Sequence, residues 1–147
     1  MIEPGASPVS PEAREAALAG RFLQIDDPQE RMAVVMAHGK KWPPVPENER
    51  AEELIVPGCS SRVWLAVSVR EGKTELLMAA DSVLVQGLAS LICEVYQDAA
   101  LEDVVAFPTA ILERCGLWRQ LSPTRQNGLE SLRQTIQLRT KALLSHA

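Results

Sequence analysis

The chain has 147 residues, 46% of them hydrophobic and 23% charged, which is enough to bury the core of one ordinary domain. A net charge of -4, a pI near 5.2 and only 4% aromatic residues argue against a dedicated nucleic-acid binder or a base-stacking platform. No apolar stretch approaches the ~20 residues needed to span a bilayer, so neither nucleic acid nor membrane is expected as a partner.

Residues 1–11 carry three prolines, a glycine and two serines and read as a mobile tail, leaving 12–147 as a single domain. The first residues lack the basic-then-apolar order of a signal peptide. Pro11 and Glu12 open a helical pattern to about Leu23, with an alanine-rich middle. Asp27 and Pro28 begin a second helix as cap and first helical residue. Met32, Val35 and Met36 share one of its faces, and Gly39 reads as its end. Trp42 to Pro46 holds three prolines and is predicted to be a stiff extended connector. Glu47 to Glu53 is charged and belongs on the surface.

Arg62 to Arg70 alternates, with Val63, Leu65, Val67 and Val69 on one face. Glu71-Gly72 reads as a turn and Lys73 to Ala80 as the returning strand of a hairpin. Asp81 or Ser82 caps the next helix, Val83 to Tyr96, which is apolar on most sides and therefore central. Gly87 inside it implies a close packing contact. A short helix is predicted from about Pro108 to Cys115, stopped by Gly116. Ser122 and Pro123 open the last helix, whose stripe is Leu129, Leu132, Ile136 and Leu143. Helices, a short antiparallel sheet, then helices make an α+β fold rather than a wound parallel sheet.

Three cysteines without a CxxC pair point away from a disulfide framework or a zinc site and toward a reducing, cytoplasmic setting. Cys93 and Cys115 fall in apolar helical segments and read as packing residues. Cys59 differs: Gly58 precedes it, Ser60, Ser61 and Arg62 follow, and a strand begins directly afterwards. On this reading the thiol is accessible. The two serines would donate to a thiolate and Arg62 would add a cation, all favouring the nucleophilic form. The alternative is a buried cysteine in a tight turn.

No base accompanies Cys59, since the only histidines are His38, near a helix end, and His146, near the C-terminus. Arg125 lies in the first turn of the last helix, where a cation opposes the helix dipole. It is either folded onto a surface carboxylate or held for a partner or for the thiol loop. Asp81 reads most simply as an N-cap, and Trp64 and Trp118 as core residues.

Three blocks of residues resemble the SufE family, over about Phe22 to Ile136. Val56-Pro57-Gly58-Cys59-Ser60-Ser61-Arg62-Val63-Trp64 is similar to its V-x-G-C-x-S-x-V-W signature. Asp81, Val85, Gly87-Leu88 and Tyr96 resemble its D-x-x-x-V-x-G-L helix. Leu121 to Leu129 resembles its L-[ST]-x-S-R-x-x-G-L segment. Leu54, Gln86 and Thr124 depart from the family pattern, where Asn, a basic residue and Ser are common.

The resemblance implies a SufE/IscU-like fold and a sulfur acceptor that stimulates a PLP-dependent cysteine desulfurase of the SufS or CsdA kind. The sulfur would pass to a SufB-like iron–sulfur scaffold. It implies no cofactor or metal of the chain's own, with Cys59 as the acceptor. Gly58, Ser60, Ser61, Arg62, Asp81 and Arg125 are implied at the partner-facing surface. A cluster scaffold of the IscU type is disfavoured, because Cys93 and Cys115 sit in the wrong contexts. A stand-alone thiol enzyme, peroxidase or hydrolase, and a non-catalytic interaction module are the rival classes.

Overall fold

The computed structural model describes residues 8–146. Its elements are α1 (Pro11–Leu23), α2 (Pro28–Lys41), β1 (Val63–Arg70), β2 (Lys73–Ala80), α3 (Val83–Tyr96), α4 (Leu101–Ala106), α5 (Ile111–Arg114) and α6 (Pro123–Ser145). Three helices start alike, with an oxygen-bearing cap followed by proline. Ser10, Asp27 and Ser122 accept the N–H groups of Ala13, Gln29 and Arg125. Proline fits at the first helical position because its missing N–H would have had no partner there. Residues 1–7 of the expected tail lie outside the described residues. The rest of it is not loose: Val9 N–H donates to Asp98 O at 3.0 Å and Pro11 is buried as the first residue of α1.

The sheet is one antiparallel hairpin in which Arg70 faces Lys73 and Val63 faces Ala80. Glu71 and Gly72 have φ of 53° and 78°, the two positive angles that match a two-residue turn to strand twist. The outer edge of β2 is covered rather than left open. Trp42 Nε1–H donates to Leu76 O at 3.2 Å and Met78 N–H to Pro43 O at 3.1 Å. The proline-rich connector thereby occupies an edge that would otherwise invite pairing with another chain. Only Val63 and Leu65 of the alternating face are buried, while Val69 projects into solvent near the hairpin tip.

Helix α3 is the centre of the core, with Leu88, Leu91, Ile92, Val95 and Tyr96 fully buried. Its crossing with α2 is closed by two glycines. A Cβ on Gly39 would lie 2.6 Å from Gly87 Cα, and one on Gly87 would lie 2.7 Å from Val35 O. Gly39 therefore does not end α2, as its place before two lysines had implied; the helix runs on to Lys41. The stretch after α3 also differs from expectation. Leu101–Ala106 is itself a helix, and only Ile111–Arg114 is helical in the segment predicted from Pro108 to Cys115. Tyr96 explains the break: its hydroxyl donates to Phe107 O at 2.6 Å and accepts Thr109 N–H at 2.9 Å. These backbone groups are thereby taken out of helical pairing.

Candidate functional site

The site is built where the segment before β1 passes over α6. Ile55 pairs with Trp64, and Val56 N–H donates to Val63 O at 2.8 Å. These pairings close residues 57–62 into a short loop with Cys59 near its tip. The base of the loop is fixed from below by Arg139 of α6. Its guanidinium donates to Leu65 O at 2.5 Å, Ile55 O at 3.2 Å, and Leu54 O and Glu53 O at 3.3 Å. One charged side chain thus donates to four carbonyls around the loop base.

At the tip, Gly58 takes a φ of 83°, which a glycine adopts without steric penalty. This turns the Cys59 side chain toward α6. The thiol donates to Gly128 O at 3.2 Å, and the Ser131 hydroxyl donates to Pro57 O one turn further along. Gly128 is bare for a reason: a Cβ there would lie 3.3 Å from the sulfur. Sequence reasoning did not identify Gly128, Ser131 or Arg139 as contacts of the loop. Gly128 stood inside a block already singled out, but nothing local marked the other two.

The sulfur is half-buried and packs against the main core. It borders a cavity of ≈ 20 Å³ whose walls include Val63, Val85, Ala89, Leu129 and Leu132. That is room for one water-sized group. Burial pushes the Cys59 thiol above its ordinary value, because an apolar wall disfavours the charged form. This corrects the expectation of a thiolate held by Ser60, Ser61 and Arg62. No hydrogen bond from these three residues reaches the sulfur, and Ser60 and Arg62 face solvent. In this state Cys59 is a neutral thiol acting as a hydrogen-bond donor.

Asp81 does not cap α3. Ser82 does, accepting Val85 N–H at 3.3 Å. Asp81 instead exchanges two bonds with Arg62: its carboxylate accepts Arg62 N–H and its own N–H donates to Arg62 O, both at 3.1 Å. The pair pins the point where the thiol loop enters β1. Arg125 lines the cavity beside Cys59, half-exposed, and its guanidinium has no ion pair or hydrogen bond among the described residues. The structure thus brings Cys59, Ser60, Ser61 and Arg125 around one opening, with Gly58 at the turn just before it and Arg62 and Asp81 where the loop enters β1.

His38 is elsewhere. It bridges to α3, with Nδ1 2.7 Å from Ser90 Oγ and Nε2 2.5 Å from Glu94 Oε1. It is committed to joining two helices. Cys93 and Cys115 are fully buried, and burial pushes both thiols up. Trp118 is half-buried against the core under Arg133, whereas Trp64 is covered by Arg50 at 5.3 Å instead of by the core. Among the described residues no cluster of His, Cys, Asp or Glu is arranged to hold a metal ion. No described helix is long and apolar enough to cross a membrane.

Comparison with known proteins gives a consistent picture. The family model described as "SufE: Fe-S metabolism associated domain" matches residues 16–140. A relative, an uncharacterised SufE-like protein of Synechocystis sp., is 29% identical over 128 residues, covering 87% of this chain and 79% of that one. Among solved structures, the solution structure of a hypothetical protein from Thermus thermophilus superposes with a TM-score of 0.76. The match spans 95% of this chain and 99% of the other at 22% identity. At that identity the likeness bears on the fold alone.

Proposed function

The chain belongs to the SufE family and its role lies in iron–sulfur metabolism; from that premise we propose that Cys59 accepts sulfur from a cysteine desulfurase. The observation that carries the reading is the seating of Cys59. It is the one cysteine of the three that is not fully buried, at the tip of a closed loop, beside a cavity with room for one more atom.

The step is an exchange at sulfur. The partner presents a persulfide, and its outer sulfur is attacked by Cys59 after the loop leaves α6. The partner's S–S bond breaks as the new one forms. The partner's cysteine departs with the electron pair and takes up the proton that Cys59 gives up. A thiol and a persulfide go in and the same two species come out, so no external oxidant or reductant is needed. PLP chemistry belongs to the desulfurase, of the SufS or CsdA kind, and the sulfur then moves to a scaffold such as a SufB-like protein.

The raised thiol suits this division of labour. A resting thiol that is neutral and half-buried resists small oxidants, because the thiolate is the reactive form. Activation follows when docking draws the loop into a more polar site. A stand-alone thiol enzyme would instead need a base near Cys59, and His38 is engaged with Ser90 and Glu94. Three free cysteines fit a reducing compartment such as the cytoplasm. The family match falls inside the single domain proposed for 12–147. Desulfurase turnover with and without the protein tests the reading. Wild type should stimulate turnover and Cys59→Ser should not; full stimulation by Cys59→Ser would refute it.

A further inference from the structure

We infer that Ser131 is a positioning residue that keeps the Cys59 loop seated on α6 whichever sulfur species Cys59 carries; this rests on the reading of Cys59 as a sulfur acceptor. Loop 57–62 meets α6 through two hydrogen bonds, from the Cys59 thiol to Gly128 O at 3.2 Å and from the Ser131 hydroxyl to Pro57 O. The bonds between Arg62 and Asp81 hold the hinge, not the tip. The two tip bonds differ in chemistry. The first uses the hydrogen on the Cys59 sulfur, and that hydrogen leaves when Cys59 S–H becomes Cys59 S–S–H. The inner sulfur then has nothing to donate to Gly128 O. If the outer sulfur loses its proton as well, the side chain has no hydrogen left to donate.

The Ser131 bond uses neither the sulfur nor its proton. Its donor is on the helix and its acceptor is a backbone carbonyl two residues before the cysteine, so loading leaves it intact. Gly58, between Pro57 and Cys59, holds a φ of 83° that a side chain there would strain. The loaded loop therefore depends on Ser131 more than the bare loop does. A protein that must carry an oxidation-prone sulfur between partners needs its loop closed most in the loaded state.

The test compares wild type, Ser131→Ala and Ser131→Thr by two rates, with the denaturation midpoint as control. The first rate is alkylation of bare Cys59 by a neutral haloacetamide, which reads Cys59 because Cys93 and Cys115 are fully buried. Loss of one hydrogen bond should make Ser131→Ala react roughly threefold to tenfold faster, and Ser131→Thr should return to the wild-type rate. The second rate is loss of sulfur to a small thiol after loading with a desulfurase and cysteine, where Ser131→Ala should exceed wild type by a larger factor. Equal rates for wild type and Ser131→Ala in both assays would overturn the inference. So would a faster Ser131→Ala that Ser131→Thr does not rescue and that also lowers the midpoint. If no protein, wild type included, takes up sulfur, the acceptor reading fails, and the alkylation rates on bare protein still decide the role of Ser131.

Discussion

Two places in this molecule depend on pairs of glycines, and they do opposite things. At the α2–α3 crossing, a methyl on Gly39 or Gly87 would run into backbone at 2.6–2.7 Å. Backbone atoms of packed helices cannot yield, so the contact welds the fold. Where the thiol loop meets α6, a methyl on Gly58 or Gly128 would meet Ser131 Oγ at 3.4 Å or Cys59 Sγ at 3.3 Å. Both are side-chain atoms, and one belongs to a loop that the proposed function requires to move. Glycine is thus used once to lock two helices together and once at a contact that the proposed function would undo.

Four substitutions sharpen or break that contrast. Gly87→Ala should have the largest effect, lowering stability by about 3 kcal/mol, the upper end for overpacking. A lowered midpoint in urea denaturation checks it, and an unchanged midpoint would show that the crossing is not a weld. Arg139→Ala comes next. It strands the carbonyls of Glu53, Leu54, Ile55 and Leu65, a loss of about 2 kcal/mol for a charged donor. The same denaturation curve measures it, and proteolysis should begin near the loop base.

Gly128→Ala should leave the midpoint almost unchanged. Alanine favours a helix by about 1 kcal/mol over glycine, which offsets the mild crowding of Cys59. Its signature should be faster alkylation of Cys59, since the added methyl displaces the sulfur from Gly128 O. Slower alkylation would mean that the loop tightens rather than lifts.

The smallest effect is in pH. Burial raises the Cys59 thiol in the folded state, so its contribution to stability is complete below the unfolded value of about 8.5. It is lost as pH rises through the folded value. Wild type should therefore lose stability relative to Cys59→Ser above about pH 8.5, and parallel curves for the two proteins would contradict this.

Much of the fold was legible because it is encoded locally. Ser10-Pro11, Asp27-Pro28 and Ser122-Pro123 each place a capping oxygen before a residue that needs no N–H partner. Glu71-Gly72 sits between two alternating runs, and the apolar surround of α3 marks a central helix. Gly39 misled because a glycine followed by lysines has the local signature of a helix end. Its actual role depends on Gly87, far away in sequence. Asp81 misled similarly, since Ser82 beside it is an equally good cap and Asp81's partner lies on the loop strand.

The site was legible as a cysteine and its neighbours, but not as an environment. A Gly-Cys-Ser-Ser-Arg run suggests a solvated, activated thiol. The sulfur's surroundings come from Val85 and Ala89 on α3 and Gly128, Leu129 and Leu132 on α6. Those residues desolvate it, and Gly128 O accepts its hydrogen bond. Local sequence singled out the residue proposed to carry the chemistry, and tertiary packing determined the surroundings in which it is kept.

The central claim is that sulfur arrives on Cys59. Its most direct test is mass spectrometry of the intact protein and its peptides after incubation with a cysteine desulfurase, PLP and cysteine. The account predicts a gain of one sulfur atom, mapped to the peptide containing Cys59 and absent from Cys59→Ser. The same gain in Cys59→Ser, or sulfur located on Cys93 or Cys115, would contradict it.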